Sequence, residues 1–387
     1  MNRSITLAFA IVLAGAHQAA AQSIFASQGL GVPVPAADAR TRALGGVGTG
    51  LRGQTVSLVN PAEAADFRIR GLAAALQSSS HAVDFEGAES HFGANRFPML
   101  QILYPVGERV VFTIGYGGFL DQSWAAFTDR SEPVGDDTVA VRDLVESSGG
   151  LAQVQAGVAY ALTPGLSVGL AGGFYSGGLD RTITRNFTGG DLPGVESFTS
   201  ELSWSQRAPF ASAGLRWDIG SILRLAGSIT WAGTLDAHAE SDLARDFEVQ
   251  LPLQASAGAS ALLAPRLLAA VSGRWAGWSA AADDLGGNAG DTWEVGAGLE
   301  WDALRFGDRS TPLRVGYRYG QYPFHVDGAL PTERAFSFGT GLRFGRTAAG
   351  PRASLDAAVE RGSRDVSGAA FAEDFWRFTV SLAVFGQ

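Results

Sequence analysis

From about residue 71 to its end, the chain alternates with a period of two. Val110, Phe112, Ile114, Tyr116, Gly118 and Leu120 share one parity, and Val111, Thr113, Gly115, Gly117 and Phe119 the other. In 292–301, Trp293, Val295, Ala297, Leu299 and Trp301 alternate with Thr292, Glu294, Gly296, Gly298 and Glu300. The rhythm returns in 313–319 and 336–344. Successive side chains of a strand point to opposite faces, so these segments form a sheet with one apolar face. Its other face carries Gly, Ser, Thr, Arg and Glu.

That second face separates two all-β architectures. A soluble sandwich turns a densely charged face to water. Here the second face is mostly Gly and Ala with isolated charges, and Lys is absent from the whole chain. A transmembrane antiparallel barrel, with its apolar band in lipid and small residues in the lumen, fits the pattern better. Beyond the first 21 residues no apolar run reaches the length of a helical span, and Ala255 to Ala270 is broken by Pro265-Arg266. In hydrocarbon the spanning must then fall to closed strands, which leave no backbone group unpaired. Isolated lumen charges should pair across ladders. Glu294 and Glu300 are placed to meet Arg314 and Arg318, with Arg343 in the same polar network.

Turn clusters divide the region into 14 strands, near 71–84, 95–105, 108–120, 150–162, 166–187, 198–219, 222–242, 246–263, 266–282, 291–302, 311–323, 333–345, 352–364 and 374–386. Connections at 106–107, 163–165, 220–221, 264–265, 303–310 and 346–351 are short. The alternate set includes the acidic 121–149 and the Gly-rich 188–197, 283–290 and 364–373. Short turns at one end and long loops at the other is the outer-membrane asymmetry, and it puts both termini on the periplasmic side. Trp204, Trp217, Trp231, Trp275, Trp278, Trp293, Trp301 and Trp376 fall toward segment ends, as interfacial girdles require.

The chain begins with Asn2-Arg3, an apolar run from Ile5 to Ala16, and Ala19-Ala20-Ala21. This is the pattern of a cleaved export signal over 1–21. With no Cys in an exported chain, no disulfide framework is available. A net charge of −9 without a basic patch argues against nucleic acid as partner. Residues 22–70 do not alternate. Their small side chains suit a compact N-terminal plug, or hatch, inside the lumen of a barrel built from 71–387.

Within that segment, Arg42-Ala43-Leu44-Gly45-Gly46-Val47-Gly48-Thr49-Gly50 precedes Val59-Asn60-Pro61-Ala62. Followed by a 14-stranded barrel, this resembles the FadL-type long-chain fatty acid transporter superfamily, whose members carry an Asn-Pro-Ala motif in an N-terminal hatch. The resemblance spans the mature chain, and Asn60, Pro61 and Ala62 are its specific part, with Gly45 and Gly46 beside them. Glu63 stands where the pattern often has Gly, and Gly53-Gln54-Thr55 where it often has an acid. The related PorV-type proteins of a secretion system share the N-terminal pattern. On physical grounds alone, Pro61 moves Asn60 out of the helical region and Asn60 can cap a helix that begins at Pro61.

No enzymatic constellation appears. His81, His91, His238 and His325 are scattered, without a zinc spacing or a nucleophile elbow. The glycines at 45, 46, 48 and 50 lack the preceding strand and following Lys of a phosphate loop. The acids of 121–149 read as solvated loop charge rather than a cation site. The resemblance implies an outer-membrane channel without cofactor, taking up small hydrophobic molecules such as long-chain fatty acids through a hatch. Its expected partners are outer-membrane lipid, lipopolysaccharide and the hydrophobic ligand. A PorV-like role with secretion-system proteins is the alternative, and a general porin is disfavoured by the occluding N-terminal segment.

Overall fold

A computed structural model describes residues 23–46, 48–85, 88–134, 137–187, 196–306, 309–347, 350–368 and 371–386. The expected export signal at 1–21 lies outside them. The strands are β1 (Val32–Pro33), β2 (Gly71–Phe85), β3 (Ala88–Val106), β4 (Val110–Asp121), β5 (Trp124–Val134), β6 (Asp137–Thr163), β7 (Leu166–Phe187), β8 (Phe198–Ile219) and β9 (Leu223–Ala232). They continue as β10 (Thr234–Ala239), β11 (Phe247–Gln250), β12 (Gln254–Ala264), β13 (Leu267–Ala276), β14 (Thr292–Phe306), β15 (Arg309–Gln321), β16 (Thr332–Thr347), β17 (Gly350–Asp365) and β18 (Phe371–Phe385).

All ladders are antiparallel, and β18 closes on β2 from Phe371 opposite Phe85 to Phe385 opposite Gly71. The wall is a closed barrel of 14 strands. Several segments are pieces of one strand. β9 and β10 are interrupted at Gly233, whose N–H donates to the Pro209 carbonyl at 2.9 Å. β11 and β12 are separated at 251–253, where Pro252 has no N–H to offer a ladder. β5 prolongs β4 along β6.

The polarity of the wall is inverted relative to a soluble protein. Phe112, Ile114, Val154, Leu170, Phe336 and Phe378 are exposed, while Gln101, Gln155, Arg216, Arg314, Glu360 and Arg377 are buried. Exposed apolar and buried charged side chains are the informative departures from ordinary burial. A lipid-facing outer surface accounts for both. In β4 the alternation holds through Tyr116, and a bulge between Gly118 and Leu120 then turns Leu120 inward.

Two expectations are corrected. Residues 121–149 are not an irregular loop: Trp124 to Val134 pairs with Asp137 to Ser147 as a hairpin extending the wall. Of its acids, Asp129 is matched by Arg142 at 2.7 Å and Asp143 by Arg185 at 2.7 Å. Of the tryptophans, Trp217, Trp231, Trp275, Trp293, Trp301 and Trp376 are exposed, but Trp204 and Trp278 are buried. Trp204 donates its indole N–H to the Arg245 carbonyl at 2.9 Å, which a lipid-facing girdle residue could not do.

Candidate functional site in the lumen

Residues 23–46 and 48–70 pack against the buried face of the wall, and glycines on both sides set how closely. Gly45 has φ +94°, and a Cβ there would stand 2.7 Å from the Ala297 nitrogen and the Tyr317 carbonyl oxygen. Across the contact, a Cβ on Gly298 would stand 2.7 Å from the Leu44 Cα, and one on Gly316 would meet the Gly45 nitrogen at 2.5 Å. The glycines that alternate with apolar residues in β14 and β15 thus let backbone touch backbone. Gly46, at φ +89°, lies against the Arg318 side chain.

Asn60 caps the 3-10 helix Pro61–Asp66, its Oδ1 accepting from the Ala62 N–H at 3.0 Å. Its amide donates to the Leu215 carbonyl at 3.2 Å, which fastens the motif to β8. Ala62 is fully buried. In the same turn Glu63 accepts from the Gly50 N–H at 2.6 Å, and its second oxygen has no partner. Burial pushes the Glu63 carboxyl up to about 7. Asp66, at the end of this helix, pairs with Arg216 and Arg224 of the wall.

Acids and arginines of neighbouring strands pair across the ladders, with more partners than the strands alone supply. Glu300 faces Arg314 at 2.7 Å and also takes Arg40 of α1 (Ala39–Ala43) at 2.8 Å. Glu294 lies 3.7 Å from Arg318, and its nearer partner is Arg274, opposite it on β13, at 2.6 Å. Arg318 continues to Glu333 at 2.5 Å and Glu360 at 3.1 Å. Arg364 then links Glu333 and Glu373, at 2.7 and 2.6 Å. Arg343 is not part of this network. It is exposed and lines a cavity of about 240 Å³ with Asp38, Arg40 and Phe385. Arg40 and Arg42 were missed as network members, since arginines in a short polar helix look like surface residues.

Between the N-terminal segment and the wall lies a cavity of about 90 Å³. Phe119, Tyr175, Phe210 and Trp278 wall it on one side, and Gln155, Ser212, Thr230 and Glu294 on another. Its rings are stacked, Phe119 on Tyr175 at 4.0 Å and Tyr175 on Phe210 at 4.6 Å between centroids. Parity could have located it. Trp204, Gln206, Ala208, Phe210 and Ser212 are in step along β8, opposite in phase to the lipid-facing Leu215 and Trp217.

The wall beside this cavity has a seam. β3 and β4 pair only from Met99–Gly117 to Val106–Val110, and above Met99 comes Pro98. Beyond that point β3 stays with β2, and the freed edge of β4 is taken by β1. Val32 pairs with Asp121 and Pro33 with Leu120, and the Val34 N–H donates to the Phe119 carbonyl at 2.8 Å. Arg96 of β3 reaches back across the seam to Asp121 at 2.9 Å.

Comparison with known proteins bears on this arrangement. The family model described as BamG matches residues 1–212. No curated protein matches. Among solved structures, the chain resembles a FadL homologue of Pseudomonas aeruginosa at 16% identity, over 92% of this chain and 99% of that one, with a TM-score of 0.61. The Pseudomonas putida toluene transporter TodX aligns at 14% identity over 92% and 99% of the two chains, TM-score 0.58. CymD, a monoaromatic hydrocarbon channel, aligns at 14% over 92% and 98%, TM-score 0.54. At these identities the likeness is one of fold, the FadL-type barrel, and the neighbours are channels rather than enzymes.

Proposed function

The chain belongs to the BamG family, and from its barrel and lumen we propose that it takes up small hydrophobic molecules across the outer membrane. The observation that carries this reading is the aromatic-walled cavity of Phe119, Tyr175, Phe210 and Trp278 between the N-terminal segment and the wall. At about 90 Å³ the cavity is smaller than one near 150 Å³ that holds benzene, so a single ring or a short chain is the upper limit of what it takes. A long-chain fatty acid needs more room than this, so its passage would require the N-terminal segment to move. The monoaromatic cargoes named for TodX and CymD fit the smaller size. In this reading residues 22–70 act as the hatch, anchored by Asn60, Pro61 and Ala62 and seated through Gly45 and Gly46. A molecule leaves either past it or sideways through the β3–β4 seam.

A second reading has its own support. The N-terminal segment is tied to the wall by Arg40–Glu300 and by Asp66 with Arg216 and Arg224. A lumen held so firmly suits a PorV-like component that serves secretion-system proteins without passing a solute. Uptake of toluene by cells with and without the gene separates the two. Reduced uptake on deletion supports the channel. Unchanged uptake together with loss of exported proteins overturns it in favour of the partner role.

A further inference from the structure

The two rims of the barrel carry opposite charge. From β10 to β11 at one rim, Asp236, Glu240, Asp242, Asp246 and Glu248 are exposed, and Arg245 is the one arginine among them. At the other rim β18 meets β2 at Phe385 and Gly71. The exposed charges described there are Arg68, Arg70, Arg109, Arg266, Arg343 and Arg352, against Glu108. Arg68 donates to the carbonyls of Ala65 and Phe67. The other arginines of this rim have no ion-pair partner among the described residues.

Arg70 is the one of these whose guanidinium has a fixed seat. It lies over the ring of Tyr104, 4.5 Å from the centroid, and donates to no protein acceptor among the described residues. Tyr104 is exposed, as are Tyr160, Trp217 and Trp301 around the same rim, where amphipathic rings mark a membrane interface. Across the β3–β4 ladder Tyr104 stands opposite Phe112, and Ile102 opposite Ile114. All four are exposed, so the apolar outer wall runs up to Arg70 without a polar row between. Guanidinium is weakly hydrated, stacks on rings, and offers N–H pairs that match two oxygens of a phosphate.

From this juxtaposition we infer that the arginine rim docks anionic phospholipid. The phosphodiester head group sits against Arg70, and the acyl chains lie along Ile102, Tyr104, Phe112 and Ile114. A lipid fits better than an acidic protein, because a partner of Arg70 must also cover the apolar wall on which its ring stands. Each arginine near an anionic lipid surface favours contact, and the acidic rim opposes it, so the charge also selects which rim meets the phospholipid leaflet. This docking requires the barrel to sit in a membrane and does not require it to pass a solute.

The test is native mass spectrometry of the full chain from non-ionic detergent micelles, with dioleoyl phosphatidylglycerol or dioleoyl phosphatidylcholine added in equal amount. The anionic lipid is expected to be retained about fivefold or more over the zwitterionic one. Arg70→Ala should cut phosphatidylglycerol retention about fivefold and leave phosphatidylcholine unchanged, with Arg70→Lys in between. Arg245→Ala, at the acidic rim, should change neither. Heat-modifiable migration reports whether each variant is folded, and the two-lipid comparison on the unaltered chain decides the matter if Arg70→Ala is not. Equal retention of the two lipids overturns the inference and leaves the arginine rim to a protein partner. An undiminished preference in Arg70→Ala, or displacement of the lipid by excess inorganic phosphate, overturns it as well.

Discussion

Two arginine–carboxylate pairs in this barrel have nearly the same geometry and opposite surroundings. On the outer hairpin, Arg142 donates to both oxygens of Asp129 at 2.7 and 2.8 Å, with both side chains more than half exposed. In the lumen, Arg40 donates to both oxygens of Glu300 at 2.8 and 2.9 Å, with side-chain exposures of 6% and 11%. In water each charge of a broken pair is resolvated, so the pair contributes little. In the lumen a broken pair strands a charge that the wall and the N-terminal segment keep from solvent. The same motif decorates one region and fastens two parts of the chain together in the other.

The largest expected effect breaks the inner pair. Glu300→Ala removes the carboxylate of Arg40 and leaves Arg314 only Asp356, and should cost about 3–5 kcal/mol, read as a lower temperature for loss of the heat-modifiable form. Next is Glu63, buried in the same segment, where the pull of Arg224 and Arg216 does not offset the cost of burying its charge. Its carboxyl is raised from the usual 4.5 to about 7, so its contribution is fully present below the lower value and fades as pH rises through the higher one. Between pH 5 and 8 the barrel should lose on the order of 3 kcal/mol of stability, and Glu63→Gln should flatten that slope. A profile that is the same in the variant would assign the pH dependence elsewhere. Asn60→Ala removes a cap and a tie to β8, for about 1 kcal/mol, and protease accessibility of residues 22–70 should increase. Smallest is Asp129→Asn on the hairpin, where no change in the melting profile is expected at any salt concentration. A large, salt-dependent loss there would erase the contrast.

How much of this was readable from the chain depended on what each strand faces. Where one face meets lipid and the other the lumen, period two is enforced at every residue, and β7 and β8 begin and end where the alternation does. Above the rim both faces of the hairpin are wet, so Asp129, Arg130 and Glu132 follow one another without alternation, and its strands were invisible. The cross-ladder pairing of Glu300 with Arg314 follows from register alone. Their third partner, Arg40, does not, because nothing in sequence spacing relates α1 to β14. Nor does residue type separate Trp278, stacked in the cavity, from Trp275 on the lipid face three positions earlier. The turn into 277–291 changes the phase between them.

The seam gives the N-terminal segment a mechanical consequence. β1 is at once part of the N-terminal segment and the neighbour of β4 in the wall, so the two cannot be displaced separately. Drawing the segment out strips the Phe119 carbonyl and the edge at Leu120 and Asp121 of their hydrogen bonds beside a lipid phase that offers none in exchange. The barrel behaves like a cask in which one inner piece is also a stave: whatever loosens the one must supply a substitute for the other.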